Sequence, residues 1–171
     1  MDAHALAALE YPAIVERLAA AAGTPHGAAD ARALTPSADP DEVASRQALT
    51  AEAIALLDAT SAPDLGGVSD VRQAAAQAAR GSMLSPGTLR EIEMSVRVAL
   101  DARAALEEQQ ELAPFLCDRA GRIDPSLAAV AEAIGRCVEE DGSDLRDRAS
   151  PKLRSLRSEL HGGRQRVIGE L

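Results

Sequence analysis

Aromatic side chains are nearly absent: Tyr11 and Phe115 stand alone, and there is no tryptophan. A core must then be built from Ala, Leu, Val and Ile, which suits closely approaching helices and stabilises little per residue. The same scarcity removes stacking platforms for single-stranded nucleic acid. Lysine is confined to Lys152 and every other basic residue is Arg. With the Ala excess, that reads as a GC-rich bacterial coding bias rather than as chemistry. Cys117 and Cys137 lie far apart with no C-x-x-C spacing, so two reduced thiols in a cytoplasmic protein are expected. The first thirty residues hold no basic segment followed by an apolar one, so no secretory signal is predicted. No apolar run approaches the ~18 residues of a membrane helix, and no membrane partner is expected.

Motifs of catalysis are missing too. A phosphate-binding loop needs G-x-x-x-x-G-K-[ST] after a strand, and Lys152 follows Pro151 with no such glycines before it. Neither G-x-G-x-x-G nor G-x-S-x-G occurs. Gly66-Gly67 has no strand before it and reads as a turn. His4, His26 and His161 are scattered, and none is spaced to share a metal with another His or a Cys. Glu139, Glu140, Asp141 and Asp144 gather in one turn, but the glycine and final glutamate of a calcium loop are misplaced. No nucleophile and base are paired. The chain is therefore read as non-enzymatic, with no catalytic, cofactor-binding or metal-ligating residue.

Helix formers fill what remains. Of 171 residues, 46% are hydrophobic, enough for a core, and Ala, Leu, Glu, Arg and Gln dominate. The fold class is all-α: a multi-helix bundle read as a single helical domain over 1–171. Tyr11 to Ala22 reads as a helix with Ile14, Leu18 and Ala21 on one face. A short helix follows Thr24-Pro25 and ends near Leu34-Thr35-Pro36. Asp39-Pro40-Asp41-Glu42 opens a helix running to about Asp58. Residues 59–69 are a loop, and Asp70 to Ala79 is a short Ala-rich helix. Ser85-Pro86 starts the clearest element, a long helix over about 85–110, with Leu89, Ile92, Val96, Ala99, Leu100 and Leu106 in its stripe. A short helix or turn comes after Pro114. Asp124-Pro125 opens a helix with Leu127, Val130, Ala131 and Ile134 on one side. Asp141-Gly142 marks a turn, and one small hairpin near 138–148 is compatible with it. Ser150-Pro151 opens a final helix with Leu153, Leu156, Leu160 and Val167 at heptad-like spacing. Its pattern is still running at Leu171, as expected of a truncated helix.

Charge is uneven. Residues 146–166 hold seven basic side chains against Asp147 and Glu159, a net +5; the whole chain is −9, so the rest carries −14. A solvated helix face is one reading. The other is an end that approaches phosphate or an acidic partner, with Lys152, Arg154, Arg157, Arg164 and Arg166 as nucleic-acid-facing candidates.

The punctuation as a set resembles one family. It comprises Leu9-Glu10-Tyr11, Leu34-Thr35-Pro36, Gly66-Gly67-Val68-Ser69-Asp70-Val71-Arg72, Met83-Leu84-Ser85-Pro86 and Glu140-Asp141-Gly142. The most specific block is D-G-x-x-x-x-D-x-A-S-P-x-L-x-x-L-R, from Asp141 to Arg157. Their order is similar to the amino-terminal part of the second bacterial MutS branch, the endonuclease MutS-two. That resemblance implies the first half of a helical core or lever region, with 151–171 starting a helix towards a clamp. It implies a longer parent, a dimeric DNA-binding ATPase with ATP and Mg sites and a nuclease-type domain elsewhere. The parent would act on branched DNA, suppressing recombination, or on collided ribosomes, rescuing them. The family's lever helix is at odds with His161-Gly162-Gly163, where two glycines cost about 1 kcal/mol each against Ala, so a kink or fraying past Leu160 is expected. The competing reading is a stand-alone acidic helical module that binds another protein and has no nucleic-acid role.

Overall fold

A computed structural model describes residues 3–59 and 63–169, with side-chain surroundings for 4–59 and 63–160. All regular structure among these is helical, apart from one antiparallel bridge between Val138 and Leu145. The all-α class therefore stands. No helix among the described residues is long and apolar enough to cross a membrane.

The chain divides into two compact units, 1–70 with 95–125, and 71–94 with 126–171. The first contains α1 (Ala3–Ala8), α2 (Tyr11–Ala21), α3 (Pro25–Ala33) and α4 (Pro40–Ala59). The second contains α5 (Arg72–Ala79). The long helix α6 (Pro86–Glu107) gives its first nine residues to the second unit and the rest to the first. Then come α7 (Pro114–Ala120) in the first unit, and α8 (Leu127–Cys137), a 3-10 turn (Asp147–Ala149) and α9 (Pro151–Gly169) in the second. The helix expected from Asp70 begins at Arg72, and the one expected after Asp124-Pro125 begins at Leu127. Helix assignment in α9 runs on through Gly162 and Gly163, so it does not end at Leu160. Glycine lowers helix propensity without removing the backbone donor, which is why it is tolerated there. The side chains of His161, Arg164, Arg166 and Val167 lie outside the described residues.

Helix starts are set by local chemistry. Thr24 Oγ1 accepts from the Gly27 N–H at 3.0 Å. Asp39 Oδ1 accepts from the N–H of Asp41 at 2.9 Å and of Glu42 at 3.4 Å. Ser85 Oγ accepts from the Thr88 N–H at 3.1 Å, and Ser150 Oγ from the Leu153 N–H at 3.0 Å. Each supplies an acceptor for a first-turn donor that has no partner inside its helix. α7 has no such cap of its own, since Ala113 precedes it; Glu52 of α4 supplies the acceptors.

Burial falls on small side chains. Ala19, Ala31, Ala74, Ala102, Ala113, Ala120 and Ala131 are buried, with Val15, Leu56, Cys117 and Val138. One expectation is corrected. The face of α2 read as Ile14, Leu18 and Ala21 is not the packed one: Ile14 is 57% and Leu18 48% exposed, while Val15 and Ala19 are buried. α3 packs on α2, and its buried residue is Ala31. Two helices meeting through Ala approach closely, and the next position round, about 100° away, carries the larger residues outward. A similar shift affects α8, where Ala131 is buried but Leu127 and Val130 are exposed. In α6 the expected stripe is half-buried, while Glu93, Ser95 and Ala102 are the buried positions.

Candidate interface at the root of the last helix

The block from Asp141 to Arg157 folds into a set of residues that bond mainly to one another. α8 ends at Cys137, and the chain reverses through 138–146. Across that reversal the Glu139 N–H donates to Asp144 O at 3.0 Å, and the Arg146 N–H to Cys137 O at 2.7 Å. At the tip the Asp141 carboxylate accepts from the Ser143 N–H at 3.0 Å and its hydroxyl at 2.7 Å. These bonds favour the ionised carboxyl and hold its pKa below the usual carboxylate range. Gly142 has φ +70°, and a Cβ there would stand 3.2 Å from Gly87 Cα and 3.3 Å from Arg90 Cβ. Glycine is needed at that position twice over, for the left-handed backbone and for the close approach to α6.

Two guanidinium groups hold the reversal. Arg146 Nε donates to Val138 O at 2.6 Å, and its ion pairs reach Glu139 at 3.7 Å and Glu140 at 3.8 Å. Arg157, in the second turn of α9, turns back to the segment before its own helix. One nitrogen donates to Asp147 at 2.6 Å and to Leu145 O at 2.9 Å; another donates to Asp144 at 2.6 Å. Asp147 first, then the charge of Asp144, raises the Arg157 pKa above its ordinary value. The acidic turn is thus largely neutralised from within. Among the described residues, no group of three or more His, Cys, Asp or Glu is placed to hold a metal ion.

The sequence offers five basic residues as candidates to face nucleic acid. Lys152 and Arg154 are exposed on α9, with no ion-pair partner among the described residues. Arg157 is half-buried and committed to Asp144 and Asp147. Arg164 and Arg166 continue the same helix, but their side chains lie outside the described residues. Arg148, in the 3-10 turn, is exposed beside them.

Two charged positions were not singled out from the sequence. Arg146 is one, although the crowding of opposite signs between Glu139 and Arg148 is itself a sign of internal pairing. The other is Glu93, 2% exposed on α6 and paired with Arg90 at 2.7 Å. Elsewhere Cys117 is buried, its Sγ donating to Leu106 O at 2.8 Å; burial first, then the charges of Glu52 and Glu107, push its thiol pKa up.

Comparison with known proteins gives no matching family model. Among curated proteins, the chain is similar to one called Endonuclease MutS2 from a Geobacillus species, 31% identical over 174 residues, covering all of this chain and 22% of that protein. A protein of the same name from Symbiobacterium thermophilum is 35% identical over 160 residues, covering 94% of this chain and 20% of that one. A third, from Bacillus cereus, is 29% identical over 169 residues, covering 97% and 21%. The chain therefore spans about a fifth of the length of the relatives it matches.

Proposed function

The chain matches an amino-terminal segment of Endonuclease MutS2, and from that premise we propose that it is a non-catalytic helical core segment of a MutS-type DNA-binding ATPase and endonuclease. The observation that supports this reading is the self-contained root of α9. The most specific block of the sequence uses Arg146, Arg157 and the capping Ser150 to fix where a helix begins, as a mechanical part requires. On this reading the parent binds ATP and Mg, forms a homodimer and meets branched DNA or collided ribosomes through its other segments. Recombination suppression and ribosome rescue are the two roles proposed for the parent.

Contact with phosphate, on the same reading, falls to Lys152 and Arg154, with Arg164 and Arg166 further along α9. Arg157 is the weakest of the five candidates, because its guanidinium is already occupied. In the full-length parent, replacing Lys152 and Arg154 with Ala reduces the slope of log K against log salt by about 1.8, at roughly 0.9 per lost phosphate contact on duplex DNA. The isolated chain, at −9 overall, binds duplex or four-way junction DNA no tighter than about 1 μM at physiological salt. Sub-micromolar anisotropy binding by the isolated chain overturns that.

Reading the gene beyond codon 171 tests the parent itself. A G-x-x-x-x-G-K-[ST] in the same frame, after a long heptad-rich stretch, supports the MutS-type parent. A stop codon just past Leu171 transfers the case to the second reading, an acidic helical module that binds another protein. That reading has its own support in the apolar residues left exposed, Ile14 and Leu18 on α2 and Ile54 and Leu57 on α4. ATP hydrolysis by the isolated chain defeats the non-catalytic reading in either form.

A further inference from the structure

The geometry points to Arg157 as a latch that sets the direction of α9 relative to α8. α8, the reversal, the 3-10 turn and α9 follow one another within one compact unit. Between the turn and α9 lies Ser150, in extended backbone with φ −155° and ψ 146°. An extended residue between two helical segments is where the chain is free to pivot, because no helical ladder runs through it from one side to the other. One residue of α9 carries side-chain bonds across this point. Arg157, beyond the pivot, reaches two carboxylates and a carbonyl on the near side, all between 144 and 147. Three acceptors at different positions fix an angle, where one would fix only a distance.

Arg146 completes the arrangement. It ties the near side of the pivot to Val138 at the end of α8. The two arginines act in series: Arg146 joins the reversal to α8, and Arg157 joins α9 to the reversal. With both in place, α9 favours one direction relative to α8. With Arg157 alone removed, the reversal keeps its Val138–Leu145 bridge while α9 is free to swing about Ser150.

The latch can open. Arg157 is 31% exposed, Asp144 63% and Asp147 69%, so the pairs lie in solvent and salt screens them. Exposed pairs of this kind hold by small factors each, and two together shift a latched equilibrium by about fivefold. A latch of that strength holds a direction at rest and yields to a modest load on the helix. This inference rests on the local geometry, so its failure leaves the similarity to Endonuclease MutS2 standing.

Spin labels report the swing directly. Cys117→Ala and Cys137→Ser remove the native thiols, and label sites are placed at exposed Val130 on α8 and Ser158 on α9. Pulsed dipolar spectroscopy of this otherwise unchanged chain gives one main distance. Arg157→Ala raises the fraction of molecules outside that peak about fivefold. Arg157→Lys restores part of the peak, since one ammonium meets one carboxylate at a time. Asp144→Asn with Asp147→Asn reproduces the Arg157→Ala broadening with the guanidinium intact. Hydrogen exchange at 153–160 stays slow in all of them, which separates a swinging helix from a melted one. An unchanged distance distribution in both Arg157→Ala and the double Asn variant overturns the latch, as does broadening accompanied by exchange throughout α8 and α9.

Discussion

Removing the carboxylate of Glu52 uncaps a helix sixty residues away. Glu52 sits midway along α4, and its two oxygens accept from the N–H groups of Phe115 at 3.1 Å and Leu116 at 2.9 Å, the first donors of α7. Ala113 at the cap position offers no acceptor. A capping acceptor contributes about 0.5–2 kcal/mol, and a negative charge at a helix start adds about 0.3–1 kcal/mol. Replacing Glu with Ala returns a few tenths of a kcal/mol in α4, where Ala is the better helix former. The net loss for Glu52→Ala is therefore about 1–2 kcal/mol. For a chain of this size that lowers the melting temperature by about 3–6 °C. Circular dichroism melts read it, with exposed Glu132→Ala on α8 as the control. Glu52→Gln keeps one acceptor and loses the charge, so it falls between the two. A Glu52→Ala melt coincident with the control refutes the reasoning, and with it the claim that α4 and α7 are joined through that carboxylate.

Three further outcomes follow from the same geometry. Gly142→Ala places a Cβ 3.2 Å from Gly87 Cα on a backbone of φ +70°, and urea unfolding shows a loss of about 1–2 kcal/mol, more than for alanine at open Gly23. Thiol alkylation finds Cys117 slower than half-buried Cys137, and Glu52→Gln speeds Cys117 because removing that negative charge lowers the thiol pKa; equal rates for the two native thiols contradict this. Asp141 and Glu42 both have carboxyl pKa values depressed in the folded state, Asp141 by Ser143 and Glu42 by Ser37. Their stabilisation is present above the ordinary carboxylate pKa and lost as pH falls through the lower folded value, so an acid melt of Asp141→Asn is flatter in that window than that of the unaltered chain.

Helix starts were legible because the caps are local. Thr24, Asp39, Ser85 and Ser150 each announce a start within three residues, and each cap is made. The packed faces were less legible. A periodicity argument follows the largest apolar residues, which led to Ile14 and Leu18, whereas α2 buries Val15 and Ala19. When helices pack through Ala, the size of a side chain no longer marks the side it faces. The α7 cap was invisible for another reason. Glu52 is one glutamate among many on a helix, and only the tertiary fold brings it to Phe115. Buried Glu93 was hidden likewise, since a charged residue beside Ile92 reads as the polar edge of the stripe.

The net +5 of residues 146–166 looks like a basic surface when charges are counted along the chain. Counted by partner, it divides. Arg146 and Arg157 answer four carboxylates, of which Glu139, Glu140 and Asp144 lie just before the stretch and Asp147 lies within it. What remains for an outside partner among the described residues is Arg148, Lys152 and Arg154, a short exposed edge beside the root of α9. Three cations with no aromatic neighbour can meet a phosphate backbone but have little means of reading a base. The consequence for the proposed parent is specific. Substitutions at Lys152 and Arg154 change the salt dependence of binding, whereas substitution of Arg157 changes the direction of α9. If Arg157→Ala altered only the salt slope and left the helix direction untouched, the division between outward charge and internal latch would be the wrong one.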